Sequence, residues 1–229
     1  MKQLALDIGL APTPTLARFH AGPNEAVVQH LRLAVEGGSL RSPVPAYLWG
    51  EPGSGKTHLL AAVREALAEQ GARVGWMDAN TPHPPAFDES WVAVLLDDTD
   101  RYDAVQQAAA FNWFVNATSP ATGAPRWVLA AGGKPPADLP LRDDLRSRLG
   151  WGHVFQLHLL SEPERRAVLR QEADARGVFL PDEVMNYMLG RFSRDLGSLM
   201  QLLDQLDRFA LREKRAITIP LLKTMLESE

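Results

Sequence analysis

The hydrophobic pattern of this chain changes texture once. Up to about residue 160, short continuously apolar runs alternate with amphipathic stretches; beyond it only amphipathic stretches follow. The runs "PAYLW" (45–49), "RVGWMD" (73–78), "WVAVLLDD" (91–98), "RWVLAAG" (126–132) and "HVFQLHLL" (153–160) read as strands. The third is apolar without alternation until its two carboxylates, which suits a central parallel strand buried on both faces. Helices are predicted over 24–36, 56–71 and 103–118, with a short one inside 139–152. Asn24 is the expected N-cap of the first, Gly37-Gly38 its end, and Gly71 the stop of the second. Residues 1–23, with prolines at 12, 14 and 23, read as an extended segment, and "NTPHPPAFDE" (80–89) as a proline-rich surface loop.

From Ser161 onward every period is helical. Ser161 can cap the first of these helices, with Gly177 as its stop; Pro181 opens a second. In the long stretch that follows, Leu196, Leu199, Leu203 and Leu206 share one face. Thr218 can cap the last helix. The division expected is an extended segment (1–23), an α/β body (24–160) and a helical lid (161–229), without internal repeats or low-complexity tracts.

Composition narrows the function classes. The chain has 229 residues, 45% hydrophobic and 23% charged, which is ordinary for a globular protein. A net charge of −4 argues against gripping bare DNA by phosphate neutralisation, though not against a DNA-linked role through a partner. With no cysteine, disulfides, thiolate zinc sites and Cys nucleophiles are excluded. No histidine spacing suggests a metal site. No apolar run reaches the length of a membrane span, and the N-terminus lacks the plan of a secretion signal. A cytoplasmic location is therefore expected, with no membrane partner.

The strongest chemical signal is "GEPGSGKT", Gly50 to Thr57, which fits G-x-x-x-x-G-K-[ST] between a strand and a helix. Gly50, Gly53 and Gly55 let backbone N–H groups turn toward phosphate oxygens, and the following helix N-terminus adds partial positive charge. Lys56 supplies a point charge for the β- and γ-phosphates, and Thr57 a hydroxyl for Mg²⁺. Pro52, Ser54 and the adjoining His58 complete the candidate nucleotide-binding set. Asp97 and Asp98, ending the most buried strand, fall at the carboxyl edge of the sheet. Asp97 is the candidate Mg²⁺ ligand. Asp98 is the candidate group for orienting an attacking water, one methylene shorter than the Glu usual there. Arg148 in "LRSRLGWG", just beyond the predicted short helix, and Arg194 in "FSRDLGSL" read by themselves as surface salt-bridge partners of Asp143, Asp144 or Asp195.

Taken in order, "QLALDI", "YLWGEPGSGKTHLL", "LLDDTD", "GGKPP", "LRSRLGWG" and "LLDQLDR" resemble the Hda family, regulatory inactivators of the bacterial replication initiator DnaA within the AAA+ ATPases. The resemblance spans nearly the whole chain. It implies an AAA+ P-loop three-layer sandwich with a parallel sheet, followed by a small helical lid. Since the chain ends at Glu229, the helix-turn-helix domain of DnaA is not expected. The resemblance makes Gly50 to Thr57 Walker A and Asp97-Asp98 Walker B. It makes Arg148 an arginine finger directed at a neighbour's nucleotide, and Arg194 a sensor 2 residue directed at its own. Phe19 to Gly22 would approach the base. "QLALDI" resembles a motif for the β sliding clamp of DNA polymerase III, with Gln3 at the pocket rim and Leu4, Leu6 and Ile8 in the apolar groove, as a short extended peptide with spaced anchors. The implied partners are DnaA, the clamp and, through the clamp, DNA; a homodimer is possible within the family plan.

One departure shapes the expectation. Where sensor 1 should supply a polar side chain, the chain has Ala131, Gly132 and Gly133. The resident nucleotide, ADP or ATP with Mg²⁺, is then expected mainly to set conformation, while Arg148 acts on the ATP of DnaA. A trans arginine is worth roughly 10³–10⁵ in phosphoryl transfer. The alternatives are an autonomous AAA+ ATPase, such as a helicase loader or remodelling subunit using Asp98, and a binding module without activating role.

Overall fold

The computed structural model describes residues 13–38, 41–192 and 195–227. Residues 3–8 and Arg194 lie outside them. The chain divides into two compact units, one running to Gly50 and from Lys56 to Gln156, the other comprising Glu51–Gly55 and the chain from Leu157 onward.

The first unit is built on five strands, β1 (Ala46–Gly50), β2 (Arg73–Met77), β3 (Trp91–Leu96), β4 (Trp127–Gly132) and β5 (His153–Leu157), in the order β2-β3-β4-β1-β5. The sheet is parallel, with Leu95 opposite Leu129 and Trp49 opposite Gly132. Its helices are α1 (Glu25–Glu36), α2 (Lys56–Glu69), α3 (Ala104–Thr118) and the short α4 (Asp143–Leu149). The strand pleat sends alternate residues to opposite faces. Tyr47, Val94, Leu96, Val128 and Ala130 pack with Trp113 and Phe114 of α3 and with Leu145 and Leu149 of α4. The alternate residues Leu48, Leu95 and Leu129 are equally buried, and α2 packs on β1, β2 and β4. This explains the missing alternation in the sequence: central strands have no wet face. Each such Leu contributes roughly 1.5–3 kcal/mol by leaving water.

Local rules set the helix ends, with one exception. Asp103 and Gln106 form a capping box on α3. Asn24 does not cap α1. The chain enters through a 3-10 turn, Gly22–Asn24, so the Asn24 backbone (φ −99°, ψ 16°) lacks the extended conformation of an N-cap and its buried side chain makes no capping bond. Two strands end earlier than their apolar runs. β3 stops at Leu96, because Asp98 turns into a left-handed conformation; β5 stops at Leu157.

The second unit contains α5 (Glu162–Ala175), α6 (Asp182–Arg191), α7 (Leu196–Glu213) and α8 (Ile219–Glu227). Ser161 and Glu164 form the capping box of α5, and Thr218 accepts from the Leu221 N–H at 3.3 Å. The core is a separate apolar cluster in which Leu199, Leu203 and Leu206 meet Leu169, Met185, Met188 and Leu222. Among the described residues no helix is long and apolar enough to cross a membrane.

Candidate nucleotide site

β1 delivers the chain to the candidate phosphate loop. Gly53 (φ +82°) and Gly55 (φ +95°) both take backbone conformations that L side chains rarely adopt, so the glycines of the motif are needed for the shape of the turn. Within the second unit Gly53 also lies against Asp195, whose Cβ would stand 2.8 Å from an added Cβ. Lys56 opens α2. Its side chain is buried and Nζ donates to the Gly50 carbonyl at 2.8 Å, folding the lysine back along the loop. Burial lowers its pKa, while the charges of Asp97, Asp98 and Asp100 oppose that shift.

Asp97 follows β3 and is almost fully buried. Its N–H donates to the Met77 carbonyl at 2.8 Å, and its Oδ1 accepts from the Asp98 N–H at 2.9 Å. Burial raises its pKa; a hydrogen bond with the Thr57 side chain works against that rise. Thr57 and Asp97, the two candidate Mg²⁺ ligands, are thus adjacent. They form a hard oxygen pair of the type that Mg²⁺ takes together with phosphate oxygens and water. Among the described residues no three His, Asp or Glu side chains form a protein-only metal cage.

Asp98 is placed differently from the sequence expectation of a strand end. It has φ 50° and ψ 39°, a left-handed conformation uncommon for a non-glycine residue, and its Oδ2 is 3.5 Å from Arg101. The carboxylate is therefore directed along the 3-10 turn Thr99–Arg101.

Asp100 is a residue that the sequence reading passed over. Its Oδ1 accepts from the Gly133 N–H at 2.8 Å. Thr99 donates to the Ala131 carbonyl at 3.0 Å, and the Tyr47 hydroxyl to the Lys134 carbonyl at 2.9 Å. These groups converge on the end of β4. A Cβ at Gly132 would collide with the Tyr47 hydroxyl and stand 2.8 Å from Thr99 Oγ1. The absence of a side chain at 132 is thus a packing requirement. The signal was present in "LLDDTD", where a third acid stands two residues after the second.

Arg148 lies inside α4, not beyond the short helix as the sequence suggested: the helix runs through Leu149. Its guanidinium stands 5.0 Å from the Phe111 ring centroid and 5.9 Å from that of Phe114. The acids that could have neutralised it serve elsewhere. Asp143 pairs with Arg146 at 2.5 Å and Asp144 with Arg142 at 2.6 Å, while Asp195 accepts from the Gly197 and Ser198 N–H groups at the start of α7. Three residues on, Trp151 is 59% exposed.

His58 binds the incoming chain. Its Nε2 is 3.3 Å from the Thr15 carbonyl, and its ring centroid is 5.7 Å from that of Phe19. Burial lowers the His58 pKa. The segment before α1 is therefore anchored beside the start of α2. Ser54 is buried and Pro52 exposed in the loop itself.

Residues 162–226 match a family model described as Hda, lid domain. The whole fold is similar to domain III of the replication initiation protein DnaA from Thermotoga maritima, at 20% identity and a TM-score of 0.75, over 96% of this chain and 98% of that one. AMPPCP-bound DnaA from Aquifex aeolicus is similar at 23% identity and a TM-score of 0.66, over 85% and 66%. The RuvB branch migration motor of Thermotoga maritima is similar at 17% identity and a TM-score of 0.63, over 89% and 68%. At these identities the likenesses establish the fold, and the family model describes the lid segment alone. The chain thus carries a segment matching an Hda-type lid after a body whose fold is that of DnaA domain III and RuvB.

Proposed function

We propose that this protein is a negative regulator of replication initiation that uses its own nucleotide as a structural ligand. It holds ADP, or ATP, with Mg²⁺ on Gly50 to Thr57, and it presents Arg148 to ATP bound on DnaA. Thr57 and Asp97 would hold the metal, which supplies charge neutralisation at the phosphates. Arg194 would contact the phosphates as sensor 2. Gln3, Leu4, Leu6 and Ile8 would dock on the β sliding clamp of DNA polymerase III and so bring the protein to DNA.

The observation that carries the reading is the state of Arg148. Its neighbours Arg142 and Arg146 are ion-paired, whereas Arg148 rests on aromatic rings and keeps its charge available. Neutralising transition-state charge on a transferring phosphoryl group needs such a cation. The autonomous-ATPase alternative draws less support, since Asp98 is turned toward Arg101 and β4 ends without a polar side chain.

The test follows the ATP pre-bound to DnaA. With this protein, ADP and DNA-loaded clamp present, hydrolysis should accelerate. Omitting the clamp, or deleting residues 1–10, should remove the acceleration while nucleotide binding persists. Acceleration that ignores both changes would overturn the clamp part of the reading. Turnover of free ATP by this protein alone, rising with its concentration, would favour the autonomous ATPase.

A further inference from the structure

The tryptophans of this chain serve its interior, with one exception. Trp91, Trp113 and Trp127 are buried, Trp49 and Trp76 are half-buried, and Trp151 is exposed. Among the described residues the Trp151 indole makes no ring contact and no hydrogen bond. The turn that carries it is fixed at both ends. The Gly150 N–H donates to the Arg146 carbonyl at 3.2 Å, the Trp151 N–H to the Arg148 carbonyl at 3.0 Å, and the His153 N–H to the Pro45 carbonyl at 2.9 Å. Gly152 has φ +121°, and a Cβ there would stand 2.3 Å from the Pro45 oxygen. An exposed indole on so constrained a turn loses little freedom when a partner covers it.

Its surroundings continue the surface. Val44 Cγ1 lies 3.2 Å from the same added Cβ at Gly152, and Val154 follows the turn; both valines are exposed. β5 is an edge strand. His153 and Phe155 pack against His30 of α1, so the strand pleat turns Val154 to the opposite face, the one that carries α3 and α4. Arg148 lies in the last turn of α4, three residues before Trp151, and makes no ion pair within 4 Å among the described residues. An apolar rim thus adjoins an unpaired cation. Such a surface fits a partner that offers an apolar shelf beside an anion, as the rim of an occupied nucleotide cleft does. A second copy of this chain fits it less well. Arg148 would there meet a site whose Asp98 is turned toward Arg101 and whose β4 ends in glycine.

We propose that Trp151, flanked by Val44 and Val154, is the anchor by which this chain docks on the rim of its partner's ATP-loaded cleft, and that it is thereby a positioning residue for Arg148. This rests on the reading of Arg148 as acting on ATP bound to DnaA. Trp151 supplies affinity and Arg148 supplies charge, so the two have separable signatures.

The experiment follows single-turnover hydrolysis of ATP pre-bound to DnaA, with DNA-loaded clamp, over a range of concentrations of the full chain. Trp151→Ala should raise the half-saturating concentration about 30-fold and hold the rate at saturation within about threefold. Trp151→Phe should raise it by less than about fivefold, because a rigid aromatic remains. Arg148→Ala should show the reverse, a lost rate with half-saturation of binding little changed. Val154→Ser should shift half-saturation in the same direction by about fivefold, and it reads the same surface if Trp151→Ala lowers the melting temperature. Half-saturation unchanged within about twofold in both Trp151→Ala and Val154→Ser would overturn the proposal. Loss of self-association in Trp151→Ala with half-saturation unchanged would also overturn it, and would assign the indole to a contact between two copies. No acceleration by the unaltered protein at any concentration would bring down the reading of Arg148 itself, and this proposal with it.

Discussion

Two neighbouring stretches at the carboxyl edge of one sheet have opposite designs. After β1 the backbone opens: Gly53 and Gly55 take positive φ, and α2 begins at the lysine. After β4, its immediate neighbour, the backbone closes: Tyr47, Thr99 and Asp100 crowd the glycines from the side. Glycine thus serves contrary purposes one strand apart. In the phosphate loop it permits a turn with positive φ at Gly53 and Gly55. At Gly132 it yields volume to neighbouring side chains. The difference teaches that holding a nucleotide and hydrolysing it draw on separable parts. Holding depends on backbone shape and one lysine, whereas hydrolysis depends on polar side chains directed at the terminal phosphate.

Breaking the open side should have the largest effect. Lys56→Ala removes a charge-assisted contact and is expected to weaken nucleotide binding on the order of 100-fold, read by titration with a fluorescent nucleotide. Retention of full affinity would mean that the loop does not grip phosphates. Breaking the closed side should cost stability. Gly132→Ser forces a side chain into Tyr47 and Thr99, and overpacking of this kind costs about 2 kcal/mol, measurable in urea unfolding. Tyr47→Phe in the same background should recover part of the loss. A third change sharpens the comparison by its smallness. Asp98→Asn should alter any intrinsic ATP turnover by less than about threefold, because that carboxylate is already turned toward Arg101. A collapse of steady-state turnover would return Asp98 to the role of a working base.

The smallest effect concerns pH. His30 packs against His153 and Phe155, and burial followed by the His153 charge lowers its pKa below 6.5. His58, facing the Thr15 carbonyl and His20, is lowered mainly by burial. In both cases the unfolded chain binds the proton more readily. Their contribution to stability is therefore present above the unfolded value near 6.5 and is lost as the pH falls through the folded values. His30→Phe should flatten the fall in melting temperature between pH 7.5 and 5.5; an unchanged slope would exclude His30 as a source.

Much of this was legible in the sequence, and the parts that were not share a cause. The strands, the loop glycines, Ser161 and Thr218 all act through neighbours close in sequence, so a linear pattern reveals them. Asp103 and Gln106 act the same way, though the strength of their capping box emerged only in the structure. Asp100 bonds to Gly133, and Arg148 lies over Phe111, across more than thirty residues. No periodicity encodes those meetings. Asn24 failed as a cap for a local reason of another kind: the preceding 3-10 turn changed its backbone before the helix began. The left-handed Asp98 was likewise hidden, since aspartate occupies that conformation only where its surroundings hold it there.

The central claim is that Arg148 is the exported chemistry of the chain. Its direct test is a single-turnover measurement of ATP pre-bound to DnaA, with DNA-loaded clamp, comparing the unaltered protein with Arg148→Ala. The account predicts loss of the acceleration by a factor of at least about 10³, with binding of this protein's own nucleotide unchanged. Full acceleration by Arg148→Ala would contradict it.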